Sequence, residues 1–360
     1  MQSVLDAPAL QDTTASNEDS LSSSTLLQDF LMQARITERL SRPDVTEVLI
    51  NRPFEMFLAT GEHPSGLREN APWLDFSLCW RVAKSLAAYN NVVLSPEEPI
   101  HTLKFPDVFA EGIRAQLVIP PACEAGTISF SIRNPSLDRF ALPDYINSGR
   151  FKHAKAIKAS HVELADWQRA IQAAHEASDW NTFFNLAVQH KQNIIIFGGP
   201  GSGKTTFAKA LTDLFPRDRR MITIEAINEL LLPLHPNHVH LLYGPTVTPK
   251  KLVASTMRMK PDHLFLAELT GDEAWHYIEI LNTGVPGTVT TAHANDCVSG
   301  IARVCGLVKQ SDVGKSLDYG YIERLVTTAF DVVVYMEKTQ ILEVHYEPEM
   351  KLKMINTRAV

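Results

Sequence analysis

Apolar positions along the chain fall into short alternating or helical runs in the first third, and into continuous runs separated by helical patterns after residue 190. Leu27, Phe30, Leu31, Ala34 and Ile36 recur at helical spacing, which predicts an amphipathic helix over 25–40. Two alternating runs, 45–50 and 55–59, flank a turn at Asn51-Arg52-Pro53 and read as a hairpin. A second helix is expected over 76–89, with Phe76, Cys79, Val82, Ala83 and Leu86 on one face, followed by strands at 113–119 and 127–133. This first part reads as α+β, a small sheet with helices on one side. Helical patterns at 161–177 and 179–190 then lead into a buried strand at 193–197. Strands at 221–225, 240–243, 263–267 and 288–292 alternate with helices at 203–214, 249–258, 271–282 and 296–308. Such alternation predicts an α/β domain with a mostly parallel sheet covered on both faces. Residues 331–336 and 341–346 suggest a closing antiparallel hairpin.

A chain of 360 residues accommodates two domains. The expected division is a tail over 1–24, an α+β domain over 25–138, a linker over 139–160 and the parallel-sheet domain over 161–360. The tail is acidic and rich in Ser and Thr, so disorder is expected there. The linker carries a basic cluster, Arg150, Lys152, Lys155 and Lys158, which suits a solvated segment, a contact to a neighbouring subunit or a contact to anionic lipid. Direct nucleic-acid binding would rest on that cluster alone, because a net charge of −7 gives no global pull toward polyanions. Cys79, Cys123, Cys297 and Cys305 form no C-x-x-C pair, so neither a zinc site nor a disulfide framework is expected, which fits a reducing cytosol. No apolar run approaches the ~20 residues that span a bilayer. The first 34 residues lack Lys and Arg, unlike a secretory signal with a basic start.

Between the strand ending at Phe197 and the helix that follows stands Gly198-Gly199-Pro200-Gly201-Ser202-Gly203-Lys204-Thr205-Thr206. Gly198 to Thr205 is a complete G-x-x-x-x-G-K-[ST] phosphate loop. Its glycines allow successive N–H groups to close around a phosphate, at the positive end of a helix. Lys204 is expected to reach the β- and γ-phosphates of ATP, and the Thr205 hydroxyl to hold Mg²⁺. Phosphoryl transfer needs position and charge compensation, so further groups should sit at the carboxyl ends of neighbouring strands. Glu225 and Glu268 end two such strands. One is expected to polarise the attacking water, a role assigned first to Glu225, and the other to hold Mg²⁺ through water. His293 ends a third strand and can sense the γ-phosphate. Arg114 and Arg133 lie on the polar, non-core face of the first sheet, and Arg258 follows a helix near the Glu268 strand. Each arginine also reads, taken alone, as solvated surface.

These blocks, in this order, resemble the type II/type IV secretion ATPase superfamily, most closely the traffic ATPases of bacterial type IV secretion systems. The resemblance covers roughly residues 30–345. It rests on the phosphate loop and on the blocks 220–230, 258–269 and 282–295, together with the first-domain block Pro120-Pro-Ala-Cys-Glu-Ala-Gly-Thr-Ile-Ser-Phe-Ser-Ile-Arg-Asn-Pro-Ser136. It implies a RecA-like fold for the second domain and a homohexameric ring at the cytoplasmic face of the inner membrane. Nucleotide is then expected between the two domains, with other secretion components as partners and DNA or protein as cargo. It further implies that Arg114 and Arg133 reach the phosphates, that Arg258 belongs to an arginine box, that Glu225 is the catalytic glutamate and Glu268 the Walker B acid, and that His293 belongs to a His box. The sequence departs from the family at Ala226, usually Asp, and at Val285, usually His. Those departures also fit a nucleotide-gated scaffold with little turnover. A type IV pilus or type II secretion motor is the alternative within the superfamily, although the tetracysteine insertion common in type II members is missing.

Overall fold

The computed structural model describes residues 14–106, 112–135, 141–154, 163–282 and 284–356. The first part runs α1 (Thr14–Gln33), α2 (Ile36–Leu40), β1 (Val45–Ile50), β2 (Glu55–Thr60), β3 (Leu67–Asn70), α3 (Phe76–Tyr89), β4 (Ile100–Lys104), β5 (Arg114–Val118) and β6 (Ser129–Arg133). A short helix, α4 (Leu142–Asn147), follows. The second part runs α5 (Asp166–Glu176), α6 (Trp180–Gln189), β7 (Ile194–Gly198), α7 (Lys204–Thr212), β8 (Met221–Glu225), β9 (His238–Leu242), α8 (Pro249–Thr256) and β10 (His263–Leu266). It closes with α9 (Glu273–Leu281), β11 (Val289–Ala292), α10 (Cys297–Gln310), α11 (Tyr319–Ala329), β12 (Val332–Glu337), β13 (Gln340–His345) and α12 (Pro348–Asn356).

The first sheet is antiparallel, in the order β3-β2-β1-β6-β5-β4. Alternation sends Val48, Ile50, Ala115, Leu117 and Ile132 to one face, where Leu27 and Leu31 of α1 and Val82 and Leu86 of α3 cover them. The other face carries Glu47, Gln116, Ser129 and Ser131 and meets the second domain. The second sheet has the order β13-β12-β7-β11-β10-β8-β9, parallel except for the β12–β13 pair. Its buried strands are apolar on both faces, as a helix-covered parallel sheet requires. One core lies under α8–α11, and another lies under α5–α7.

Several elements differ from expectation. The first helix begins at Thr14 instead of 25, inside the stretch expected to be disordered; residues 1–13 lie outside the described residues. The apolar stripe starts only at Leu27, so periodicity marks the buried part of this helix and not its whole length. Strands β3 and β4 were not legible: β3 is exposed on nearly every residue, and β4 buries only Leu103. Helix α4 lies within the expected linker and buries nothing, so no stripe announces it.

Arg220 joins the two domains. It is the largest fully buried side chain, lying just before β8. Its Nε donates to the Met259 carbonyl at 2.8 Å, and its Nη1 donates to Asn51 Oδ1 and Asn237 Oδ1, each at 2.7 Å. Its Nη2 donates to Ser131 Oγ at 3.3 Å. Burial pulls this guanidinium down to about 10, still charged at neutral pH. A buried charge is tolerated only when its donors are satisfied, and here both domains supply the acceptors. Nearby, Asn237 Nδ2 donates to the Ser65 carbonyl at 2.6 Å, and Lys260 Nζ lies 3.6 Å from Glu47 Oε2. Replacing Arg220 with Ala removes the donors to Asn51 Oδ1 and the Met259 carbonyl, while Asn237 Oδ1 keeps the Asn51 Nδ2 donor at 3.0 Å. Chemical denaturation should show a loss of about 3–5 kcal/mol. A loss under about 1 kcal/mol would mean that water replaces the guanidinium without penalty.

Candidate functional site

The phosphate loop occupies the carboxyl end of β7 and the start of α7. The close approach at its first glycine is strict. A Cβ on Gly198 would lie 2.4 Å from the Met336 carbonyl oxygen of β12 and 2.5 Å from Ser202 Oγ. Gly201 and Gly203 take φ of 70° and 92°, which bends the loop back on itself so that Lys204 opens α7. The Ser202 hydroxyl is buried without a partner.

Lys204 is only 8% exposed, and its Nζ donates to the Gly198 and Gly199 carbonyls, both at 2.9 Å. Burial lowers its proton affinity, while the Glu268 carboxylate supports the charge. Nζ also lies 3.4 Å from His293 Nδ1, which is 3.0 Å from the Gly198 carbonyl. His293 Nε2 faces Glu268 Oε1 at 2.7 Å. Three of the residues expected from sequence therefore form one chain: Lys204, His293 and Glu268. Thr205 and Thr206 continue α7 beside them. The loop, His293 and the start of α10 enclose a cleft of about 400 Å³, lined also by Asn295, Ser299 and Arg303. Arg303 was missed in the sequence because α10 carries no signal placing one turn of it over a loop far upstream.

Glu225 stands one strand beyond Glu268, since β8 pairs with β10. Its Oε1 accepts from the Glu229 and Leu230 amides at 3.2 and 3.0 Å, and its Oε2 is buried without a hydrogen bond. Burial raises its proton affinity against the pull of those amides. His240 Nδ1 lies 3.9 Å away. Ala226 is exposed, and Val285 packs into the apolar core.

Arg114 and Arg133 lie on the face of the first sheet that meets the second domain, toward the amino ends of the parallel strands and not the carboxyl ends that carry Lys204. They sit opposite each other, next to Lys104, in a row of exposed cations across β4, β5 and β6. Arg133 also pairs in register with Glu47, which faces Lys260 at the amino end of β10. The strands between that edge and the phosphate loop span about 16 Å at ~3.3 Å per residue. Arg258, exposed just after α8, lines a separate cleft with Thr102 and Gln116. The Arg220 joint fixes this arrangement, because it seats β1 and β6 beneath the amino ends of β8–β10. Of the basic linker cluster, Arg150 and Lys152 are exposed, while Lys155 and Lys158 lie outside the described residues.

Comparison with known proteins decides the family. Residues 157–345 match the model for "Type II/IV secretion system protein". The chain belongs to that family. It is 38% identical over 328 residues to the type IV secretion system protein VirB11 of Brucella suis, covering 87% of this chain and 88% of that one. It is 33% identical over 321 residues to the type IV secretion system protein PtlH of Bordetella pertussis, covering 86% and 90%. The solved VirB11 ATPase of the Brucella suis system, in complex with sulphate, superposes with a TM-score of 0.87 at 37% identity, over 94% of this chain and 99% of that one. The chain is thus an ATPase of the type IV secretion branch, with the phosphate loop on its α/β domain. Among the described residues no helix is long and apolar enough to cross a membrane.

Because Gly198 has no room for a side chain, Gly198→Ala should weaken ATP binding at least tenfold in a fluorescence titration, about 1.4 kcal/mol. Unchanged affinity would show that the loop needs no close contact with β12.

Proposed function

We propose that the protein hydrolyses ATP with Mg²⁺ as a homohexameric ring at the cytoplasmic face of the inner membrane, and that the cycle drives assembly of a type IV secretion channel or pilus and passage of DNA or protein. The observation that carries this reading is the Lys204–His293–Glu268 chain on a complete phosphate loop, in a chain that aligns with VirB11 along most of its length.

The loop suits a nucleotide tail: its first glycine abuts backbone, Ser202 has an unspent hydroxyl, and the amides of 199–205 open α7. Thr205 and, through water, Glu268 are the oxygen ligands for Mg²⁺, which prefers oxygen donors and retains waters. That ion would neutralise charge on the β- and γ-oxygens. Lys204 exchanges its two carbonyl partners for phosphate oxygens. His293 shares the Gly198 carbonyl with it, so the exchange reaches Glu268 through the Nε2 contact. Glu225, with its raised proton affinity and free Oε2, takes the water-polarising role one strand away.

Arg114 and Arg133 cannot reach this loop in their own protomer, so the nucleotide they serve is that of a neighbouring copy. A ring places such a heterologous edge against the next subunit's site. Arg133→Ala should lower turnover at least tenfold, because a guanidinium acts on charge that develops in the transition state. Lys204→Ala should be inactive. Co-expressed in one ring, the two variants should recover about a quarter of parental turnover, since half the sites keep Lys204 and half of their neighbours keep Arg133. Recovery absent from rings shown by differential tags to be mixed would place the arginine and the lysine in the same protomer.

A further inference from the structure

The segment leaving β5 runs along the open edge of β9, where Cys123 bridges to Leu241 and the Leu242 amide donates to the Ala122 carbonyl at 2.9 Å. This carries Glu124 over His238 and His240, which alternate onto one face of β9. One ring nitrogen of each histidine and a Glu124 carboxylate oxygen all lie within 4.8 Å of one another. The ring centroids are 4.7 Å apart.

The surrounding bonds prepare the rings as ligands. His238 Nδ1 lies 2.5 Å from the His235 carbonyl, which only accepts, so the hydrogen is on Nδ1 and Nε2 keeps its lone pair. His240 Nδ1 lies 2.7 Å from Thr223 Oγ. Carboxylate or carbonyl partners that fix the second nitrogen are the usual support of a metal-bound histidine. Asn228 Nδ2 donates to Glu124 Oε1 at 2.8 Å and orients that carboxylate. Burial pulls His238 down to about 4 and His240 to about 3, so both rings are neutral at pH 7, the form that binds metal.

We propose that Glu124, His238 and His240 bind a divalent transition-metal ion of the zinc class and thereby fasten the first domain to the edge of the ATPase sheet. Two imidazoles and one carboxylate, with water in the fourth position, suit Zn²⁺ or Co²⁺; Mg²⁺ asks for oxygen alone. At metal–ligand distances of about 2.0–2.1 Å, neighbouring ligand atoms stand about 3.4 Å apart. The partly exposed Glu124 and His238 side chains must close that gap by rotating. The opposing charge comes from Arg52, which donates to the His238 carbonyl at 3.0 Å and lies 3.5 Å from Glu55, and from the buried Arg220. The Glu55, Glu124 and Glu225 carboxylates offset it. Bound metal would link the loop of the first domain, through His240 and Thr223, to the strand that carries Glu225.

The test uses the full chain, stripped with chelator and free of nucleotide, titrated with Zn²⁺ by calorimetry and with Co²⁺ by visible absorption. One ion per chain is expected, with a rise in melting temperature that excess Mg²⁺ does not reverse. Glu124→Gln and His238→Gln, both at partly exposed positions, should each weaken Zn²⁺ binding at least tenfold and remove the rise, with metal-free melting unchanged. If His238→Gln misfolds, Glu124→Gln decides alone. Absence of stoichiometric Zn²⁺ binding, or full affinity retained in the folded variants, would overturn the site.

Discussion

The Lys204 ammonium is the group on which the site depends. It is buried, it cannot leave the fold, and without an anion it rests on the Gly198 and Gly199 carbonyls. Those carbonyls are weaker partners than a phosphate dianion, because they offer the ammonium only a dipole where phosphate offers full opposite charge. The loop therefore holds its lysine ready to change partners. Every neighbouring feature follows from keeping it there: glycine at 198 because β12 leaves no room, left-handed turns at 201 and 203, and His293 bridging the same carbonyl to Glu268.

A second constraint, the Arg220 joint, sets how the domains meet. A fully buried guanidinium shared among Asn51, Ser131, Asn237 and the Met259 carbonyl admits few alternative arrangements. It seats the first sheet under the amino ends of the parallel strands, so its cationic edge faces away from the phosphate loop of its own chain. A nucleotide-driven opening of one domain against the other within a single protomer then lacks its common anchor. In the proposed ring, coupling between subunits would supply one, with an arginine row on one copy and a lysine on the next over the same anion.

Much of this was legible in the sequence. Met221–Glu225 is a strand with the expected bounds, because four apolar or β-branched positions end abruptly in a carboxylate. The β1–β2 hairpin appears in register, Val48 opposite Leu58, because both runs bury the same face. The phosphate loop, Glu268 and His293 meet because the ends of parallel strands converge by construction. Periodicity gave the face of Arg114 and Arg133 correctly but not the end of the sheet they occupy. That depends on Arg220, the last residue of the charged turn Arg217-Asp218-Arg219-Arg220, which nothing in the pattern marks as the buried one. Strand β3, Leu67–Asn70, buries no side chain and is held by its ladder and by the Arg68–Glu55 and Arg39–Glu69 pairs, so no apolar pattern encodes it. The Glu124, His238 and His240 cluster was equally hidden, since its members come from two domains and no ligand spacing joins them.

Hydrogen–deuterium exchange on the full chain, with and without Mg²⁺ and a non-hydrolysable ATP analogue, tests the central claim most directly. The account predicts slowed exchange of the amides of 199–206 and of the 293–295 segment, with little change along the cleft between β4 and α8. Unaltered exchange in the loop at saturating analogue, or protection confined to that other cleft, would contradict it.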